Sequence, residues 1–269
     1  MAENLRLLAI FPHPDDETLG LGSTLARYST EGIETYLICA THGEHGWFDS
    51  EGPNPGLEGV ARLREAELHC AAESLGIHEV SFLDYIDGDV DQAKPEEIIG
   101  KLVAHIRRIK PQVVVTFGPD GAYGHPDHIA LSQFTNAALV CAADRGFSDV
   151  NIQPPHRVSK FYYMVDSWDV VNAANEAFGG IRMEIDGVVR VHVGWADWQI
   201  TTRLDNKDYL DKFQKAMLCH KSQISGYHPM DQWSLAELAR VFGTGYFYRV
   251  FSLVNGGRSV ETDLFEGMK

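Results

Sequence analysis

The chain has 269 residues, 44% of them hydrophobic and 23% charged, and a formal charge of −15 at pH 7. That profile excludes disordered, collagenous and fibrous classes and allows one large domain or two small ones. The acidic excess argues against nucleic-acid and anionic-membrane partners, which both require a clustered cationic surface.

No apolar run approaches the roughly 20 residues of a membrane helix. The opening Met-Ala-Glu-Asn-Leu-Arg lacks the basic and apolar regions of a secretory signal. Residues 5–11 read as a buried strand, followed by a turn bearing Pro and Gly and a helical stretch to about Thr30. Residues 34–40 read as a second strand, and the spacing of the two suits a parallel β-α-β unit. Residues 42–58 are rich in Gly, Pro and His and read as a loop. A helix over 59–75 stops at Gly76, and 79–83 is a short strand. Pro95 opens another helix, whose Ile98, Ile99, Leu102, Ile106 and Ile109 recur at helical spacing until Pro111. The unbroken apolar run 112–117 predicts a strand covered on both faces, with a helix from Pro126 to Ala142 after it. Strand and helix alternate through residues 1–145, which implies an open α/β sheet.

The remainder, 146–269, reads as an α+β half of the same single domain. A strand is expected at 158–165, a hairpin over 181–193 turning at Asp186-Gly187, helices at 206–221 and 234–242, and a strand at 246–254. Cys39, Cys70, Cys141 and Cys219 are far apart, form no Cys-x-x-Cys pair and sit in apolar segments. The expectation is four reduced, buried thiols in a cytoplasmic protein.

Two clusters carry chemistry. Phe11-Pro12-His13-Pro14-Asp15-Asp16-Glu17 directly follows the first strand, and Gly124-His125-Pro126-Asp127-His128 follows the 112–117 strand. Both lie past carboxyl ends of parallel strands, the edge where open α/β sheets form ligand sites. Imidazole and carboxylate suit Zn²⁺ and other borderline divalent ions, Fe²⁺ among them. His13, Asp16 and His128 supply three ligands and leave a position for water. Of the adjacent Asp15 and Asp16, one can bind metal while the other faces the water. His125 and His128, three apart at a helix start, share a face. Either cluster also has a plain reading as a capped helix start. Gly20-Leu21-Gly22 lacks the third glycine of a dinucleotide fingerprint.

With these motifs the sequence resembles the PIG-L (LmbE-like) de-N-acetylases. Thr41-His42-Gly43-Glu44-His45-Gly46, Arg64-Glu65-Ala66-Glu67 and His220-Lys221-Ser222-Gln223 are similar to three further family motifs, in the expected order. The resemblance implies a Rossmann-like three-layer α/β/α sandwich with a mostly parallel sheet. It implies a metal held by His13, Asp16 and His128, with Asp15 as general base. It also implies that His125, as an imidazolium oriented by Asp127, stabilises the oxyanion, and that Arg64 and His220 approach the substrate. The expected reaction is removal of an acetyl group from an N-acetylglucosamine-type sugar conjugate, releasing acetate and a free amine. Cleavage of another acyl or thiol-conjugate amide, a non-catalytic carbohydrate-binding homologue and a phosphoesterase are the alternatives.

Arg64 also has a plain reading as a helix ion-pair partner of Glu67, and His220 as a helix-terminal charge. Tyr123 and Trp47 lie in edge loops that can stack on a sugar. His42 and His45 read as loop histidines, and His69, His78, His105, His156, His192 and His228 as structural ones. Homo-oligomerisation stays open.

Overall fold

A computed structural model describes residues 4–48, 52–147, 153–185, 187–224, 229–257 and 259–269. The first half alternates as read. It comprises β1 (Arg6–Phe11), α1 (Asp16–Leu19), α2 (Gly22–Thr30), β2 (Glu34–Thr41), α3 (Leu57–Leu75), β3 (Glu79–Tyr85), α4 (Pro95–Ile109), β4 (Val113–Phe117), α5 (Gly121–Gly124) and α6 (Pro126–Ala143). The second half adds β5 (Lys160–Val165), α7 (Trp168–Phe178), β6 (Arg182–Ile185), β7 (Val188–Val191), β8 (Thr202–Asp205), α8 (Leu210–Met217), α9 (Lys221–Ile224), α10 (Leu235–Phe242) and β9 (Thr244–Ser252).

Seven strands form one sheet in the order β3-β2-β1-β4-β5-β9-β8. The first five are parallel, and β9 runs against both of its neighbours. Successive strand residues point to opposite faces. Leu7, Ala9 and Phe11 of β1 therefore join Leu25, Leu68, Leu75 and Ala216 from α2, α3 and α8. Leu8 and Ile10 join Ile98, Leu102, Ile106, Leu131 and Leu139 from α4 and α6. These two cores make the three-layer α/β/α arrangement. A third cluster, with Val170, Leu210, Phe213, Leu238 and Val241, ties α7, α8 and α10 together.

Several local expectations hold for their stated reasons. Gly76 ends α3 in the left-handed region at φ 75°, and Pro95 occupies the first turn of α4. The hairpin β6–β7 forms a sheet of its own, although Asp186 of its turn lies outside the described residues. Others need correction. The stretch between the expected strand and hairpin, for which no element was predicted, holds α7, capped by Ser167, whose hydroxyl accepts from Val170 N–H. The single helix expected over 206–221 is broken, with α8 ending at Met217 and α9 beginning at Lys221.

The cysteine expectation also fails. Cys70 and Cys219 are disulfide-bonded across 149 residues, because packing of α3 on α8 brings their Cα atoms to 5.7 Å. Cys39 and Cys141 remain free thiols. Cysteine spacing therefore no longer supports a reducing compartment. No helix among the described residues is long and apolar enough to cross a membrane.

Arg107 of α4 is one of the largest fully buried side chains. Its guanidinium donates to the carbonyls of Cys141, Ala142 and Asp144 at the carboxyl end of α6, and to Phe147. It thus satisfies carbonyls that the helix end leaves unpaired, and it complements the dipole. Arg107→Leu is expected to lower unfolding free energy by about 3 kcal/mol in a urea titration. A change within error would show that water replaces these bonds.

Candidate metal centre and active site

Strand order reverses direction between β1 and β4, and that switch point opens a crevice at the carboxyl edge of the sheet. The loop after β1 delivers His13 to Asp16, and the start of α6 delivers His125 to His128. Pro126 fits the first turn of α6, and the side chain of His125 caps it by accepting from Asp127 N–H. Among the described residues, His13, Asp16 and His128 form a group able to hold a metal ion, and His13, His125 and Asp127 form a second, overlapping one. In the first, His128 Nε2 lies 3.3 Å from His13 Nδ1 and 3.6 Å from Asp16 Oδ1, and His13 Nδ1 lies 3.4 Å from Asp16 Oδ2. Tetrahedral zinc bonds of about 2.0–2.1 Å separate ligand atoms by about 3.4 Å. The donor set and its spacing fit such an ion.

The other nitrogen of His13 is held by carboxylates. Its Nε2 lies 3.1 Å from Asp127 Oδ2 and 3.0 Å from Asp87 Oδ1. A carboxylate behind a ligating imidazole fixes ring orientation and tautomer. Asp127, fully buried, also accepts from the N–H groups of Gly88 and Val90. This revises its expected role. Its carboxylate orients His13, and only its backbone N–H engages His125 Nδ1, at 3.2 Å. The start of α6 sets the Asp127 carboxylate against the 87–90 loop and His13, with no hydrogen bond to the His125 ring among the described residues.

Charge follows this geometry. Burial disfavours an imidazolium at His13, yet its hydrogen bonds to the carboxylates of Asp127, Asp16 and Asp87 raise its pKa well above the usual value. Burial pushes His128 down to about 3, with His13 and His125 adding to the effect against Asp16. Against the cost of burial, His128 and His13 hold the Asp16 carboxyl below its usual range. Burial, then His13, lowers His125. That direction disfavours the imidazolium expected there, and its Nδ1 accepts the Asp127 N–H, which leaves Nε2 as the ring's donor atom.

Asp15 stands at φ 122°, a conformation that costs a non-glycine residue about 1–3 kcal/mol. Its N–H is held by Glu17 Oε2, and its carbonyl accepts from Thr18 and Leu19. Burial pushes its carboxyl up to about 7, opposed by Arg64 and assisted by Asp16. Arg64 Nη2 lies 3.4 Å from Asp15 Oδ2, and the same guanidinium donates to the Gly43 and Pro14 carbonyls. The glycines of the 41–46 loop make room for it. A Cβ on Gly43 would lie 2.5 Å from the Arg64 guanidinium carbon, and one on Gly46 would collide with Nη1.

Behind Asp15, the buried Glu17 receives His220 Nε2 at 2.8 Å. His220 is 2% exposed and is not among the residues lining the cleft; its ring meets Glu17 rather than the cavity. Glu67 pairs with Ser222, accepting from both its N–H and its hydroxyl, and makes no ion pair with Arg64.

A cavity of about 360 Å³ opens over the metal group. Its walls include His13, Asp15, Asp16, Arg64, Tyr123, His125 and His128, and also His45, Asp87, Asp166, His192 and Gln223. Tyr123 is therefore at the cleft, whereas the Trp47 indole bonds to Gly52 O. His42 stacks on Phe82 and pairs with Asp84, away from the metal. His228 lies outside the described residues. Sequence reasoning missed Asp87, Asp166 and His192. Asp166 directly follows β5, a parallel strand beside β4, and that position was the available signal. Nothing local marked Asp87 or His192.

Two outcomes are expected. Gly46→Ala displaces Arg64 and lowers turnover by about 10²-fold with normal metal content, since positioning errors near 1 Å have that effect; full activity would show that Arg64 needs no gap. Because a metal must expel the proton that His13 holds, zinc affinity of the metal-free protein rises between pH 6 and pH 8. Calorimetry that finds equal affinity at both would remove the proton from His13.

The PIG-L family, described as GlcNAc-PI de-N-acetylase, matches residues 8–139. The 1D-myo-inositol 2-acetamido-2-deoxy-alpha-D-glucopyranoside deacetylase of Streptomyces avermitilis is 33% identical over 98% of this chain and 97% of its own. Among solved structures, N,N'-diacetylchitobiose deacetylase from Pyrococcus horikoshii superposes with a TM-score of 0.67 at 20% identity, over 91% of this chain and 83% of that one. The 4-carboxy-2-hydroxymuconate hydratase of Pseudomonas putida KT2440 reaches 0.70 at 18%, over 94% and 99%. At such identities the structures speak for the fold alone, which hosts more than one chemistry. Identity to the first relative along almost the whole of both chains places this protein in the PIG-L de-N-acetylase family.

Proposed function

We propose that the protein removes the N-acetyl group from an N-acetylglucosamine conjugate, using one divalent ion, zinc foremost, held by His13, Asp16 and His128. The observation that carries this reading is the meeting of His13, Asp16 and His128, whose nearest nitrogen and oxygen atoms lie 3.3–3.6 Å apart, in a cleft that Asp15 also lines. The name of the Streptomyces avermitilis relative supports a 2-acetamido sugar on a cyclic polyol as the substrate class. When bound, the ion polarises the acetamide carbonyl and makes water more acidic.

The chain's own groups handle the protons. Asp15, a carboxyl near neutrality, takes a proton from the attacking water. His125 offers its Nε2–H to the oxygen as negative charge develops there. The proton on Asp15 then goes to the departing nitrogen, which leaves as the free amine, and acetate is the other product. Arg64 holds the Asp15 carboxylate in place and keeps its hydrogen bonds to the loop.

A second reading has its own observation. A narrower, mostly apolar cavity, about 90 Å³, shares Leu19, Gly20, Met164, Asp166, Ile181 and His192 with the cleft and continues to Val170, Phe213, Val241 and Phe247. It favours an amide with a longer acyl group. Acetate release from N-acetylglucosamine glycosides, set against release from their N-butyryl analogues, separates the two. Asp15→Asn is expected to lower turnover by roughly 10²–10⁴-fold with bound metal unchanged. Undiminished turnover would remove Asp15 as the base.

A further inference from the structure

The polar groups of the cleft differ in how far they are already committed. On the wall around the loops of the first half of the chain, Arg64 bonds Gly43 and Pro14, His45 Nδ1 bonds Asp87 O, and Gln223, reaching in from near α9, bonds Gly46 O. Asp87 is taken by His13 and the N–H of His45. Their hydrogen bonds hold the loops of the site together.

The opposite wall, from the second half, is different. Asp166 follows β5, and His192 follows β7. Their side chains meet at 3.0 Å, His192 Nε2 to Asp166 Oδ2. That is the one side-chain bond either makes among the described residues, so a carboxylate oxygen and an imidazole nitrogen are left over. The Asp166 side chain is 38% exposed. Both backbones are pinned: Asp166 O accepts from Trp195 N–H, and His192 N–H donates to Ile181 O. Around the pair, Met164, Ile181 and Met183 give the wall an apolar surface.

We propose that Asp166 and His192 bind vicinal hydroxyl groups of the substrate's polyol portion, on the side of the cleft facing the metal ligands. Adjacent hydroxyls donate to the carboxylate oxygen and exchange a hydrogen bond with the imidazole, and the apolar wall packs on the C–H face of a ring. A neutral, hydroxyl-rich partner suits this wall. The pair combines one carboxylate with an imidazole that Asp166 keeps more basic than usual despite burial. The inference rests on the proposed deacetylation for the identity of the substrate and extends it to what selects that substrate.

The experiment compares acetate release from two substrates, the myo-inositol glycoside of N-acetylglucosamine and its methyl glycoside, by wild type, Asp166→Ala, Asp166→Asn and His192→Gln. Asp166→Ala is expected to lower the inositol-to-methyl ratio of kcat/KM about tenfold, the scale of one hydrogen bond to a charged group, mostly through KM. The amide of Asp166→Asn, which keeps one acceptor, restores part of the ratio. A ratio equal to wild type, or equal loss on both glycosides, overturns the proposal.

Saturation-transfer NMR of the metal-free protein with the same glycosides reads the contact without turnover. Saturation of the inositol protons by wild type and its loss in Asp166→Ala supports the pair even if neither glycoside is hydrolysed, an outcome that would overturn only the deacetylation. Saturation that persists in Asp166→Ala overturns the pair.

Discussion

Carboxylates crowd the carboxyl edge of β1, and their mutual repulsion in a buried setting is the constraint that organises the site. Asp15, Asp16, Glu17, Asp87 and Asp127 converge there, and each is matched to a cation or a donor. Arg64 faces Asp15, and His220 meets Glu17. His13 stands among Asp16, Asp87 and Asp127. Buried charge persists only when paired and hydrogen-bonded. Even so, burial leaves Asp15 at about 7. The divalent ion proposed between His13, Asp16 and His128 would complete the compensation and displace the His13 proton.

This electrostatic requirement explains packing that looks unrelated in the sequence. The buried Arg64 guanidinium needs a space without side chains, and Gly43 and Gly46 supply it. Ser222 and Gln223 hold the far side, one through Glu67 and the other through Gly46 O. The disulfide joins α3, which carries Arg64 and Glu67, to the turn that carries His220. Three of the short motifs are therefore one physical unit built around the charge of Asp15.

Most of the parallel half was legible in the sequence because each of its signals is local. Apolar runs marked β1, β2 and β4, and Pro95 and Gly76 marked helix ends. The site was legible for a related reason, since its ligands are grouped in short segments beyond strand ends. The antiparallel half was less so. Strand β8 is four residues long and takes its place by pairing with β9, and α7 depends on the Ser167 cap and on packing against α10. Asp87 and His192 have no neighbours in sequence that mark a site.

The sequence by itself determined the α/β architecture, the acidic and histidine-rich centre, and the likeness that points to its candidate metal ligands. These depend on periodicity and on residues adjacent in the chain. The tertiary structure decided which carboxylate meets which imidazole, which groups Arg64 and His220 bond, that Cys70 pairs with Cys219, and that Asp166 and His192 line the same cleft as His13, Asp16 and His128. Each is a contact between segments far apart in sequence, fixed only when the sheet and its helices bring them within hydrogen-bond or bonding distance.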